Sequence, residues 1–359
     1  MKDIYTEIVN ALGKRERLAL ATIINRVGSA PREAGAKYLV KKDGTTIGSI
    51  GGGCVEADVW QQAQKAMEKG EGNILHFNLT SEQLAEGGLI CGGNIDIFLE
   101  PLGEDSLNIY REINHLRQQG GSGLLATVIS VDGVYPRREG IKVFIKASGK
   151  KAGSLFMGEM LEERIFKELE RLLKTNKIEV MTIRSKETTQ PWKNVEILLE
   201  PIVSEPTVYI FGAGHISQQL VPLLKKVHFR VFVIDDREMF ANRERFPEAD
   251  EIIVTEFGKA LEQLIIDQSS FIVIVTRGHL YDGLVLSKAV GTGARYIGMI
   301  GSKKKIHTLY KNLLAKGVSK GVLDRVHAPI GLDIGSETPE EIAVSIVAQL
   351  IKTRRGKLA

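Results

Sequence analysis

The sequence predicts an α/β protein, with a C-terminal Rossmann-type doubly wound parallel sheet preceded by a duplicated α+β N-terminal region. Two observations predict it. From Thr207 an apolar run enters Gly212-Ala-Gly214-His215-Ile-Ser217, and a second apolar run ends in Asp235-Asp236. That is the succession of strand, glycine turn, helix and strand in a dinucleotide fold, with an acid about 20 residues past the turn. Upstream, the chain matches itself at a shift of 105 residues, which lays Pro31-Arg32 on Pro136-Arg137. A period that long means duplicated domains rather than short repeats.

The duplication extends over about 200 residues. Ile4-Tyr5 aligns with Ile109-Tyr110 and Ala21-Thr22 with Ala126-Thr127, and near the ends, where the shift becomes 100, Leu99-Glu100-Pro101 aligns with Leu199-Glu200-Pro201. Each copy predicts a helix (Tyr5 to Ala11; Tyr110 to Arg117) and a strand (Leu18 to Ile24; Leu124 to Ile129). A second strand follows (Lys37 to Val40; Lys142 to Ile145), turning at Asp43-Gly44 or Ser148-Gly149. A second helix (Glu56 to Glu68; Met160 to Leu173) and an alternating strand (Asn94 to Leu99; Asn194 to Leu199) close each unit. The expected organisation is a first repeat over 1–103, a degenerate second repeat over 104–203 and a nucleotide-binding domain over 204–359.

The copies differ where chemistry is expected. The first has Gly51-Gly52-Gly53-Cys54 at its strand-to-helix turn and Cys91-Gly92-Gly93 before its last strand; the second has neither. The fold survives without these loops, which favours function over folding for the glycines and thiols. Three glycines at a helix start suit an anion. A thiol there gains thiolate character. Cys54 and Cys91 are therefore candidates for catalysis or for contact with a soft metal or a mobile sulfur. The plain alternative is that both are small buried hydrophobes.

In the C-terminal region, predicted strands over Glu251 to Val254, Phe271 to Val275 and Arg295 to Ile300 continue the βα pattern. Ligands of open α/β sheets bind beyond the strands' carboxyl ends. Gly212, Gly214, His215 and Asp235 are thus candidate binding residues. Thr276-Arg277-Gly-His279 with Asp282 follows the fourth strand, so Arg277, His279 and Asp282 are expected to face the crevice, with His279 a candidate for catalysis. Gly301-Ser302-Lys303 opens a further helix suited to phosphate. Pro329-Ile-Gly331-Leu-Asp333-Ile-Gly335 resembles a binding loop, and Thr338-Pro339 with Glu341 predicts a capping box. The alternative for these sites is solvated loops and ordinary caps.

The bulk composition is that of a globular protein: 359 residues, 43% hydrophobic, 26% charged, net charge +4, with 37 glycines and two cysteines. The mild charge does not argue for nucleic acid, and no apolar run approaches the ~20 residues that span a bilayer. A polar start and two thiols suggest a cytoplasmic protein.

Together these motifs resemble the XdhC/CoxI family of molybdenum-hydroxylase accessory proteins. The residues carrying the resemblance are Gly48-Ser-Ile-Gly-Gly-Gly-Cys54-Val-Glu56, Cys91-Gly-Gly93, Phe211-Gly-Ala-Gly-His215, Asp235-Asp-Arg237, Thr276-Arg-Gly-His279 with Asp282, Tyr296-Ile-Gly-Met-Ile-Gly-Ser302, and Pro329 to Gly335. Gly51 departs from a pattern that allows Ser there. The resemblance implies binding of the molybdenum cofactor, as molybdopterin or a dinucleotide form. It also implies help with sulfuration by a cysteine desulfurase and delivery to an apo molybdenum hydroxylase. Cys54 and Cys91 are expected to meet in one loop cluster facing the Rossmann crevice, and a homodimer is expected. The competing readings are an NAD(P)-dependent oxidoreductase using the Rossmann site, with NAD(P) or FAD as the alternative ligand, and a nucleotide-sensing regulator with no chemistry; no Tyr-x-x-x-Lys pair stands where a dehydrogenase would place one.

Overall fold

The computed structural model describes residues 3–79, 93–136, 139–185 and 192–356. It divides into two compact units, Met1–Val203 and Ser204–Ala359.

The first unit holds two five-stranded antiparallel sheets. One runs β3 (Thr46–Gly48), β2 (Lys37–Lys41), β1 (Leu18–Gly28), β5 (Gly93–Leu102), β4 (Asn73–Leu79). The other runs β8 (Lys151–Leu155), β7 (Ile141–Lys146), β6 (Ser122–Val131), β10 (Asn194–Val203), β9 (Glu179–Arg184). The orders are the same, and each long strand skips one residue of its register, Ile24 in β1 and Ile129 in β6. Strands β3, β4, β8 and β9 escaped the sequence reading. They are short or edge strands whose weak alternation is completed only by pairing.

Period-two alternation sends β1 to two different cores. Leu18 and Leu20 join helices α1 (Ile4–Gly13) and α3 (Leu107–Gln119), with Leu125 and Phe144 of the second sheet. Ala19, Ala21 and Ile23 pack instead on α2 (Gly53–Lys69). The second sheet likewise covers α4 (Glu159–Thr175) with Leu124, Ala126 and Val128. The two sheets therefore share one core, built around α1 and α3.

In the second unit five parallel strands run β13 (Glu251–Val254), β12 (Arg230–Asp235), β11 (Thr207–Phe211), β14 (Ser270–Ile274), β15 (Tyr296–Met299). Strand order reverses between β11 and β14, the switch point of a doubly wound sheet. Helices α5 (His215–Lys226) and α8 (Pro339–Arg354) cover one face, through Leu220, Leu224, Ala343, Ile346 and Leu350. Fully burying a side chain such as Ile346 contributes about 1.5–3 kcal/mol. Helices α6 (His279–Ala289) and α7 (Lys303–Ala315) cover the other. The capping box of α8 forms, with Thr338 accepting from Glu341 N. Among the described residues no helix is long and apolar enough to cross a membrane.

Candidate ligand crevice

The glycine turn after β11 is built by two different demands. Gly212 has φ of +115°, and a Cβ there would stand 2.3 Å from the carbonyl oxygen of Val275. Glycine is required because the extension of β14 passes so closely. Ser217 donates to Gly212 O at 2.5 Å and is fully buried, so it closes the turn in the third fingerprint position. Gly214 is the N-cap of α5, at φ −84°, and no side chain caps the helix. A Cβ on Gly214 would meet nothing within 4 Å. His215 is exposed in the first turn of α5.

Asp235 ends β12 but is 1% exposed. Its carboxylate accepts from Ala213 N at 2.9 Å, from Arg237 N at 3.1 Å and from the Arg237 guanidinium at 2.9 and 3.1 Å. These four bonds fill its acceptor sites. Asp235, a candidate binding residue, has its carboxylate engaged in bracing the glycine turn. The more accessible acid is the half-buried Asp236, which pairs with Arg277 through both Nη atoms, at 2.5 and 2.8 Å. Arg277 hydrogen bonds hold the Asp236 carboxyl below the usual range against an opposing burial effect.

Asp282 is also turned inward. It is buried in the first turn of α6 and accepts from Thr276 N at 3.2 Å and Thr276 Oγ1 at 2.6 Å. It braces the turn that presents Arg277. His279 is the first residue of α6.

Residues that were not among the candidate binding residues lie beside these. The Arg237 and Arg245 guanidinium carbons lie 3.8 and 5.2 Å from the Phe240 ring centroid. Arg245 also donates to Gln218 Oε1 at 3.0 Å, while its Nε is buried with no hydrogen-bond partner. Tyr281 sits under Arg277, 4.3 Å from ring centroid to guanidinium. Arg237 directly follows the two aspartates, a signal that was available. Arg245 carried none, since only the fold brings it to Gln218.

At α7, Ser302 caps by accepting from Lys305 N at 3.4 Å, next to Gly301 and an exposed Lys303. Asp333 is exposed in a loop pinned to α8, where Gly331 N donates to Gln349 Oε1 at 2.9 Å and Leu332 O accepts from Ser345 Oγ at 2.5 Å.

In the first unit Gly51, Gly52 and Gly53 have φ of +138°, +81° and +63°. The turn they form is already supplied with an anion. Glu56 Oε1 accepts from Ser49 Oγ at 2.8 Å, Ile50 N at 3.1 Å and Gly52 N at 2.9 Å. The expected open anion site is corrected to this extent. Glu162 plays the matching part in the second sheet's turn, accepting from Leu155 N at 2.8 Å. Cys54 is exposed in the first turn of α2. Gly93 is buried in β5, where a Cβ would meet Ser29 O at 2.4 Å, so strand packing explains it rather than ligand approach. Cys91 and Gly92 lie outside the described residues. Among the described residues no group of three or more His, Cys, Asp or Glu is placed to hold a metal.

A five-stranded parallel sheet with its glycine turn at the switch point defines a Rossmann-type protein, here preceded along the chain by a pair of antiparallel sheets. Residues 208–350 match the family model described as the XdhC Rossmann domain, and residues 11–78 and 116–184 match that of the XdhC and CoxI family. The chain belongs to the XdhC/CoxI family. It is 28% identical over 357 residues to a probable xanthine dehydrogenase subunit from Bacillus subtilis, spanning 99% of this chain and 98% of that protein. It is 31% identical over 123 residues to the molybdenum cofactor insertion chaperone PaoD of Escherichia coli, 34% of this chain and 38% of that protein. A crystal structure described as a xanthine dehydrogenase from Bacillus halodurans superposes with a TM-score of 0.77 at 28% identity, covering 99% of this chain and 96% of that one.

Proposed function

We propose that this protein is an accessory protein of a xanthine dehydrogenase-like molybdenum hydroxylase, which binds the molybdenum cofactor and delivers it to the apoenzyme. The observation that carries the reading is Gly214. It stands at an uncapped helix start, in a conformation open to any residue, with empty space where a Cβ would be. That cradle fits the phosphate of a pterin cofactor or its dinucleotide form, held by the first-turn amides of α5 with Arg277 beside it. The family match and the similarity to an insertion chaperone point the same way.

Cys54, exposed at the start of α2, is suited by its thiol to contact a soft metal or a mobile sulfur. When bound, the cofactor supplies the molybdenum and dithiolene chemistry; the chain's part is to hold it and shield it. Service to a cysteine desulfurase, a homodimer, and roles for His279, Cys91, Gly301, Ser302, Lys303 and Asp333 belong to the same proposal. The nicotinamide reading is less favoured, because Asp235, the acid a ribose diol would use, is filled from within.

The test is an anaerobic titration of the full chain with molybdenum cofactor, repeated with Cys54→Ala, Cys91→Ala and Gly214→Val, with NADH, NADPH and FAD in parallel. Tight cofactor binding, weakened about tenfold or more by Gly214→Val, supports the reading. Binding of NADH alone, lost in Gly214→Val, refutes it in favour of an oxidoreductase.

A further inference from the structure

Two glycines of the crevice have no reason within the chain to be glycine. Gly214 and Gly278 are the N-caps of α5 and α6, with φ of −84° and −176°, and a Cβ on either would meet nothing within 4 Å. Serine or aspartate would cap better, yet no side chain caps either helix. They follow β11 and β14, the two strands that flank the switch point.

Over this opening runs one ion pair. Arg277 follows β14 and Asp236 follows β12, and β11 lies between them in the sheet. Their contact at 2.5 and 2.8 Å therefore crosses the end of β11, above the glycine turn. Tyr281 supports the guanidinium through its hydroxyl at 2.8 Å. The pair is not sealed: the side chains are 32% and 23% exposed. Other charges face it. Asp235 lies 3.9 Å from Arg277, and Arg237 lies 3.8 Å from Asp236, ready to balance that carboxylate. A phosphate offers a guanidinium the same fork geometry as a carboxylate, with more charge.

We propose that the Arg277–Asp236 pair is a latch across the glycine turn, opened when a phosphate-bearing ligand takes Arg277 from Asp236. This rests on the reading that the turn holds the ligand's phosphate. Closure of the latch lowers the apparent affinity by the fraction of molecules held shut. Arg277 is thus both the ligand's phosphate contact and the bar that excludes weaker anions.

Calorimetric titration of the full chain with inorganic pyrophosphate tests this, using wild type, Asp236→Asn, Arg277→Gln and the double variant. Asp236→Asn is expected to tighten binding roughly two- to fivefold, the contribution typical of an exposed ion pair. Arg277→Gln weakens it, and in that background Asp236→Asn changes nothing further. Equal tightening in both backgrounds overturns the latch, since removal of a repelling charge then explains it. Unchanged or weaker binding in Asp236→Asn overturns it too, as does failure of pyrophosphate to bind both wild type and Asp236→Asn. The cofactor titration with Cys54→Ala reads the accessory role separately, so either conclusion can fail alone.

Discussion

The ammonium of Lys142 lies 2.8 Å from both carboxylate oxygens of Glu100, with the two side chains 4% and 5% exposed. Lys37 makes the reciprocal pair with Glu200. Each lysine stands on the second strand of one sheet and reaches a glutamate on the long last strand of the other, so two buried charge pairs tie the sheets across their shared core. Glu100→Ala leaves the Lys142 charge uncompensated and is expected to destabilise the protein by about 3–5 kcal/mol. Denaturant unfolding measures it. Glu100→Leu with Lys142→Met is expected to recover most of the loss; a double variant as unstable as the single would contradict this account.

Alkali attacks the same region. Burial raises the Tyr5 and Tyr110 phenols, and Tyr110 has no hydrogen-bond partner for its hydroxyl. Burial works against the charge of Lys37, but the Glu200 carboxylate outweighs it and the ammonium is held above its ordinary range. All three folded values lie above the unfolded ones. Their contribution is therefore present below about pH 10 and lost as pH rises beyond it. Melting temperature against pH is expected to be flat to about pH 9 and to fall above it, less steeply in Tyr110→Phe. A profile that stays level to about pH 11.5, past the ordinary range of both groups, would sink the idea.

Neighbouring glycines should answer oppositely to alanine. Gly212→Ala forces a Cβ to 2.3 Å from Val275 O at φ +115°, a strain of about 1–3 kcal/mol before any backbone shift. Gly214→Ala meets nothing, and stability is expected to stay within about 0.5 kcal/mol while ligand affinity drops. Thermal melts beside a ligand titration separate the two; a Gly214→Ala that unfolds early would show the cradle to be structural.

Glu56 holds its turn by three accepted hydrogen bonds. Removing a charged acceptor of backbone amides costs about 1.5–3 kcal/mol, so Glu56→Ala should lower stability by that order. It should also change the rate at which the neighbouring Cys54 thiol is alkylated. Urea unfolding and a thiol-labelling time course check both. Labelling identical to wild type would detach Cys54 from the turn.

Much of this architecture is legible along the chain because it is local. The run from Thr207 to Ser217, the caps at Ser302 and Thr338, and the alternation of Leu18 to Ile23 each depend on residues within one or two turns. What the sequence by itself determined is the α/β class and the parallel sheet with its glycine turn. Only the tertiary structure decided the work of the charged side chains. Asp235 and Arg237 are near in sequence, but Ala213 and Arg277, which complete their network, arrive in the turns after other strands; Lys142 meets Glu100 only when two sheets close on one core. The physical reason is that hydrophobic periodicity is a property of a segment, whereas a buried charge must find its partner wherever the fold supplies one.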